Sequence, residues 1–109
     1  MRPRLPEISH LQYLALGVLL GGEQSGRAIR EEAKRYGVRR SLAAFYQFMG
    51  RLERSGRVEG WYAQIQAGDQ RVTERRYGIT AAGRRAWSAA RAFYDAVDAS
   101  RAGARSSNA

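Results

Sequence analysis

Arginines concentrated in two short segments are the residues of this sequence best suited to chemistry with a partner. Residues 39–57 and residues 71–85 each contain five arginines and a single acidic residue, which gives each segment a net charge of +4 in a chain whose total is +9. Arginine is permanently charged, and its planar fork of donors fits a phosphate or a carboxylate. The two segments therefore predict a surface that binds a polyanion such as nucleic acid.

Few other residues are suited to catalysis or to metal binding. The chain has no cysteine and one histidine, His10, which excludes disulfides, thiolate metal sites and sites with several histidines. No motif pairs an acid or base with a nucleophile, so we expect neither an enzyme nor a cofactor. No apolar run approaches the roughly 20 residues that span a bilayer. We expect a cytoplasmic protein of one domain, without a membrane partner.

Serine, threonine and glycine mark the ends of the helices that carry or flank the arginines. Ser9 and Gln12 form a capping box, and Ser25, Ser41 and Thr80 stand at three further helix starts. Apolar residues recur at helical spacing after each of them. The predicted helices span residues 9–20, 26–36, 41–55 and 80–99.

The period of the sequence changes between the third and fourth helices. Residues 58–66 and 71–79 are rich in aromatic and β-branched side chains, and the turn 67–70 joins them into a β-hairpin. Two short helices joined by a tight turn and followed by a hairpin are typical of a winged helix-turn-helix. The predicted fold class is mainly α with a small β-hairpin, ending in a long C-terminal dimerisation helix. The predicted parts are an N-terminal arm (1–8), the DNA-binding domain (9–79), the dimerisation helix (80–99) and a disordered tail (100–109).

The start of the third helix is the predicted reader of double-stranded DNA. In a helix-turn-helix the second helix enters the major groove by its N-terminal residues. Gln47 can bond to adenine through two contacts, and Ser41 can bond to a phosphate or a base edge. The hairpin is the wing, whose arginines would hold phosphates. The predicted DNA-contacting residues are Arg39, Arg40, Ser41, Ala43, Ala44, Gln47, Arg51, Arg71, Arg75 and Arg76.

The fourth helix is too apolar to be a free appendage. It carries alanine and aromatic residues at helical spacing, which predicts a homodimer in which this helix packs against the same helix or the first helix of a second copy. The alternative is a helix folded back on its own core. Trp87 is also a candidate for lining a pocket that takes a flat small-molecule effector. The predicted dimerisation residues are Leu11, Leu14, Trp87, Ala90, Phe93, Tyr94 and Val97.

Two other functions remain open on these residues alone. A winged helix can serve as a protein-interaction module, in which the basic faces bind an acidic protein and Trp61 and Tyr62 belong to the interface. The chain could also bind RNA, since Tyr46 and Tyr62 are aromatic residues among arginines that could stack on bases.

Several segments in a fixed order resemble the PadR-type transcriptional regulators. They cover about residues 11–97, with Arg27 in place of an aromatic residue and Gln47 in place of a proline. The matching segments are 14–19, 25–29, 45–47, the pattern Met49, Leu52, Glu53, Gly56 and Val58, and 75–83.

The resemblance carries further expectations. It implies a dimeric winged-helix repressor that binds a pseudo-palindromic operator and releases it when an effector binds. Tyr46 would contact the DNA backbone, and Arg75 and Arg76 would lie on the wing. Longer family members carry an additional dimerisation domain, whereas a single helix follows the wing here.

Overall fold

The predicted order of elements is present in the computed structural model, which describes residues 2–107. The mainly α fold with a β-hairpin is therefore confirmed. A short 3₁₀ turn, Leu19–Gly21, follows the first helix. The elements are α1 (His10–Val18), β1 (Gln24–Ser25), α2 (Gly26–Arg35), α3 (Leu42–Arg54), β2 (Val58–Ala67), β3 (Gln70–Ile79) and α4 (Ala81–Ser107).

The helix starts are where the serines and the threonine predict them. Ser9 Oγ accepts a hydrogen bond from the Gln12 amide at 3.1 Å, and the Gln12 side chain accepts one from the Ser9 amide at 3.0 Å. The hydroxyls of Ser25, Ser41 and Thr80 accept from backbone amides three residues further on, at 3.0–3.1 Å. Each cap satisfies an amide that the helix leaves unpaired and stabilises the helix by about 1 kcal/mol.

The hairpin is longer than predicted by a residue at each side of its turn. β2 and β3 pair along their whole length, and the chain reverses over Gly68 and Asp69 alone. Gly68 has a φ of +63°, the left-handed conformation that a two-residue turn needs at its first position. Tyr62 lies opposite Arg75 and Trp61 opposite Arg76, so each pair occupies a different face of the hairpin.

A third strand joins the sheet that the sequence predicts as a hairpin alone. β1 pairs antiparallel with β3, with Gln24 opposite Tyr77 and Ser25 opposite Arg76, so that β3 is the middle strand. Two residues are too few to show the alternation by which a strand is recognised. Ser25 is both the last residue of β1 and the N-cap of α2. The sequence predicts the cap but not the strand.

The core lies where the helices meet the root of the hairpin. Tyr77 of β3 is 1% exposed and packs in the same cluster as the inner faces of α1 and α3. The root of the wing is therefore part of the core, while its distal half projects. The largest fully buried side chains are Tyr77, Leu16, Leu19, Ile29, Met49 and Leu52.

The last helix differs most from its prediction. α4 continues to Ser107, so the prediction of a disordered tail is wrong for residues 100–107, and residues 108 and 109 lie outside the described part. Residues 100–107 contain no proline, and four of the eight are alanine or arginine, which favour helices. A helix that is already formed extends at little cost, because each added residue gains a hydrogen bond.

Close contact at the start of α4 yields a test of the packing. A Cβ on Gly83 would overlap the Arg57 carbonyl oxygen and lie 2.8 Å from Cγ1 of Ile79. We expect Gly83→Ala to lower the free energy of unfolding by about 2 kcal/mol, as overpacking does.

Urea unfolding measures this change, and Gly103→Ala is the matched control. Gly103 lies in the same helix, but nothing is within 4 Å of the added methyl group. The control should leave stability unchanged or raise it slightly, because alanine favours a helix more than glycine does. Equal effects of the two substitutions would contradict this packing.

Candidate nucleic-acid interface

The outer face of α3 presents most of the predicted DNA-reading residues. Ser41, Ala43, Tyr46 and Gln47 are exposed, while Ala44 is half-buried. The opposite face anchors the helix in the core through the buried residues Phe45, Phe48, Met49 and Leu52. Because that face is fixed, the side chains on the outer face have a defined direction.

The connection between α2 and α3 holds the two helices as a pair. Nη2 of Arg30 in α2 donates a hydrogen bond to the Arg40 carbonyl oxygen at 3.1 Å, just before α3 begins. The Arg40 guanidinium lies 5.7 Å from the centre of the Phe48 ring on α3. The arginines that precede α3 are thus held close to the start of that helix.

Four of the predicted arginines are exposed and free of acidic partners. Within residues 2–107, no carboxylate forms an ion pair with Arg39, Arg40, Arg51 or Arg71. Arg39 precedes α3, Arg51 lies in its last turns, and Arg71 lies near the tip of the wing. Their charge is not neutralised by the protein, so it is available to an anionic partner.

Arg75 is engaged inside the protein. Its Nη2 donates to both carboxylate oxygens of Glu53, at 2.7 and 2.9 Å. Burial by itself would lower the pKa of Arg75. The interactions of its guanidinium with Glu53 and Tyr77 outweigh that effect, so the pKa is raised. The guanidinium stays charged beside a carboxylate, an arrangement that disfavours the predicted contact with a phosphate.

Arg76 is engaged in the same way on the other face of the wing. It bonds to Glu74 at 2.8 Å and to Glu23 at 3.3 Å. Side chains of a strand point alternately to opposite faces, so neighbours such as Arg75 and Arg76 cannot face the same partner. Of the three predicted wing arginines, Arg71 is the one left exposed and unpaired in the described part of the chain.

A groove separates α3 from the wing. It encloses about 520 Å³ and is lined by Tyr46, Gly50, Glu53, Tyr62, Thr73, Arg75 and Tyr77. Tyr62 is 72% exposed at its edge, with the Arg75 guanidinium 4.6 Å from the centre of its ring. Tyr62 is not among the predicted DNA-contacting residues, and Thr73 has no predicted role. The register of the hairpin places both on the face of Arg75, and that register depends on the short turn at Gly68.

The predicted dimerisation residues differ in how far the packing of α4 on α1 buries them. Ala90 is fully buried within its own chain, so it has no surface to offer a second copy, contrary to its predicted role. Leu11, Trp87 and Tyr94 pack against the core and are partly buried. The part of α4 that contains Trp87, Ala90 and Tyr94 therefore packs on the core of its own chain, where α1 lies alongside it. This is the alternative to a dimer contact that the sequence left open. The remaining members, Leu14, Phe93 and Val97, are half-buried.

Aromatic contacts join α1 to α4. The rings of Tyr13 and Trp87 are stacked, with centres 5.5 Å apart and planes at 8°. Tyr94 Oη lies 2.7 Å from His10 Nδ1. Beside this cluster a cavity of about 420 Å³ is lined by Tyr13, Leu14, Gly17, Val18, Glu32 and Trp87. Trp87 thus lines a cavity, and its use by an effector stays a prediction.

Two kinds of feature do not occur in residues 2–107. None of the helices described has the length and apolar character needed to cross a membrane. No group of three or more histidine, aspartate or glutamate side chains lies close enough together to hold a metal ion in this range.

Comparisons with known proteins agree on the architecture. No family model and no curated sequence matches the chain. A PadR family transcription regulator from Clostridium difficile is 14% identical, over 83% of this chain and 92% of that one, with a TM-score of 0.69. A transcriptional regulator from Clostridium thermocellum is 17% identical over 84% and 89%, with a TM-score of 0.62.

A further solved structure contains DNA. It is Bacillus subtilis PadR in complex with operator DNA, which is 22% identical over 72% of this chain, with a TM-score of 0.57. The match spans 45% of that longer chain. At these identities the likeness concerns the fold. The chain has the winged-helix fold of PadR transcription regulators.

Proposed function

We propose that this protein is a DNA-binding transcriptional regulator of the PadR type, a repressor that binds a pseudo-palindromic operator as a homodimer. The observation that carries the proposal is the outer face of α3. That face presents Ser41, Ala43 and Gln47 between exposed arginines that have no acidic partner in the described residues. The likeness of the fold to a regulator solved with operator DNA supports the same function.

The α3 helix enters the major groove in this account. The small Ala43 side chain lets the helix approach the bases closely, and the Gln47 amide is placed to pair with an adenine edge. Ser41 caps the helix with its hydroxyl oxygen, accepting from the Ala44 amide at 3.1 Å, so its proton is free to donate to a phosphate. Tyr46, which is 37% exposed, contacts the backbone from the edge of the groove.

Charge outside the helix holds the duplex in place. Arg39 and Arg40 at one end of α3, Arg51 at the other and Arg71 on the wing bind phosphates of the strands beside the major groove. These contacts give affinity without sequence preference, and they release counterions from the DNA. The major-groove geometry of α3 favours duplex DNA over RNA, because the major groove of an RNA helix is too narrow for side chains to read.

The dimer is formed by α4 together with the start of the chain. Phe93 and Val97 are half-buried and line a cavity with Arg2 and Pro3, and they supply apolar area for a second copy. Two-fold symmetry then places two α3 helices in successive major grooves, about one helical turn apart. An effector in the cavity beside Trp87 would change how α4 meets α1, and with it the spacing of the two α3 helices.

Binding to the two kinds of nucleic acid tests the proposal. A labelled random-sequence duplex and a single-stranded RNA of equal length are titrated by fluorescence anisotropy over a range of salt concentrations. We expect tighter binding to the duplex, with log K falling linearly as log salt rises. Tighter binding to the RNA, or no binding to either, would contradict the proposal.

Gln47 should determine base preference. We expect Gln47→Ala to relax discrimination at a single position of each half-site, by about 1–3 kcal/mol, and to leave non-specific affinity nearly unchanged. Competition between duplexes that differ at one base pair measures this. A uniform loss of affinity across all sequences would show that Gln47 does not read a base.

Arg71 should contribute charge and no sequence preference. We expect Arg71→Ala to weaken binding on all duplexes alike and to reduce the slope of log K against log salt by about one unit. Arg91→Ala is the control, because Arg91 is an exposed arginine on α4, paired with Asp95 at 3.1 Å. The same change of slope in both variants would mean that the effect is one of total charge.

Val97 should lie in the dimer interface. We expect Val97→Glu to shift the protein towards monomer in sedimentation equilibrium, because a charged carboxylate would replace apolar area that the second copy covers. Ser88→Glu adds the same charge to the opposite side of α4, at an exposed position, and should leave the dimer intact. A wild-type protein that is monomeric at micromolar concentration would contradict the proposed dimer.

A further inference from the structure

We propose that Arg75 is a positioning residue that fixes the wing at one angle to α3, and that it does not itself contact a phosphate. The proposal rests on the proposed function, in which α3 and the wing bind one duplex. Glu53 holds Arg75 through an ion pair, and Gly60 leaves room for that pair. Arg71 is then the phosphate contact of the wing.

The ion pair joins two elements that are otherwise linked through the root of the wing. Glu53 lies in the last turn of α3 and Arg75 in the middle of β3. The Arg75 Nη2 atom contacts both oxygens of the carboxylate, at 2.7 and 2.9 Å. The two side chains are 28% and 21% exposed, so the pair is shielded from solvent more than a surface pair is. Removing one partner would leave the other charge poorly compensated.

Two tyrosines restrict the guanidinium further. The Tyr62 ring centre lies 4.6 Å from the Arg75 guanidinium carbon, and the Tyr77 ring centre lies 5.6 Å from it. Tyr77 is buried in the core, whereas Tyr62 stands at the surface of the groove. The guanidinium therefore lies between the core and an exposed ring, and a phosphate that reached it would also meet the Glu53 carboxylate. Repulsion from that carboxylate disfavours phosphate binding at this arginine.

Gly60 provides the space that the ion pair occupies. A Cβ on Gly60 would overlap Glu53 Oε1 and lie 2.7 Å from Arg75 Nη2. Gly60 does not have the positive φ that the turn glycines have, so its lack of a side chain serves this close approach rather than an unusual backbone conformation. Strand β2 thus carries a glycine at the point where the pair joins α3 to the wing.

The angle of the wing matters because its phosphate contact is distant from the core. Arg71 lies four residues beyond Arg75 along β3, or about 13 Å at the usual rise of a strand. A small rotation at the root would move Arg71 by several ångströms. The Glu53–Arg75 pair supports the hairpin partway along its length, and so it sets where Arg71 and Tyr62 meet the DNA.

Salt-dependent binding separates positioning from phosphate contact. Wild type, Glu53→Gln, Arg75→Ala, Arg75→Lys and the double variant Glu53→Gln/Arg75→Ala are titrated with the random-sequence duplex at several salt concentrations. We expect each single variant to bind about tenfold more weakly, the change that corresponds to a coupling of about 1.4 kcal/mol, and the double variant to be no weaker. The slope of log K against log salt should stay at the wild-type value.

A phosphate contact gives the opposite pattern. Glu53→Gln would then free Arg75 and tighten binding, Arg75→Ala would lower the salt slope by about one unit, and Arg75→Lys would keep nearly all of the wild-type affinity. Any of these results would overturn the proposal. So would unchanged affinity in the single variants.

Hydrogen exchange on the free protein tests the positioning role without DNA. We expect the amides of β2 and β3 beyond Arg75 to exchange about tenfold faster in Glu53→Gln and in Arg75→Lys, while amides of α1 keep the wild-type rate. Faster exchange in every element would indicate general destabilisation and would overturn a role specific to the wing. If the wild type bound no duplex, the proposed function would fail, whereas the exchange result would still decide whether the pair fixes the wing.

Discussion

Burial of the Tyr77 ring is the constraint on which the relative placement of the helices and the wing depends. The side chain belongs to the middle strand of the sheet, yet it lies in the same core as α1, α2 and α3. Burial raises the pKa of its hydroxyl, so the ring stays neutral in the core. The start of α2 accommodates the ring at Gly26, where a Cβ would lie 3.3 Å from Tyr77 and 3.1 Å from Tyr46. One aromatic ring thus fixes the root of the wing against both helices of the helix-turn-helix.

The alternation of a strand carries this constraint outward from Tyr77. Arg75, Thr73 and Arg71 follow it at every second position, so they share the face that is turned towards α3. Arg75 is close enough to α3 to pair with Glu53, whereas Arg71 forms no ion pair with a carboxylate in the described residues. Distance from the core therefore decides which arginine supports the wing and which is left for a partner. Arg76 is turned to the other face, where Glu74 and Glu23 neutralise it.

Local signals predicted the elements well, because they depend on neighbours in sequence. The serine and threonine caps, the apolar stripe of α3 and the hairpin needed no tertiary information. The partners of the arginines did depend on tertiary structure: Glu53 and Arg75 are 22 residues apart, and Glu23 and Arg76 are 53 apart. A count of charges predicts a basic wing, but it cannot show that two of the three arginines are already paired. The burial of Ala90 was missed for the same reason, since the periodicity of α4 identifies an apolar face without saying whether α1 or a second copy covers it.

Selection of bound duplexes from a random DNA pool, at near-physiological salt, decides whether the protein recognises an operator. We expect an enriched inverted repeat whose half-sites are about one helical turn apart, because two α3 helices related by two-fold symmetry would read successive major grooves. Enrichment of no sequence above background would show that the protein is not such a regulator, because it would leave only the attraction of an arginine-rich surface for any polyanion.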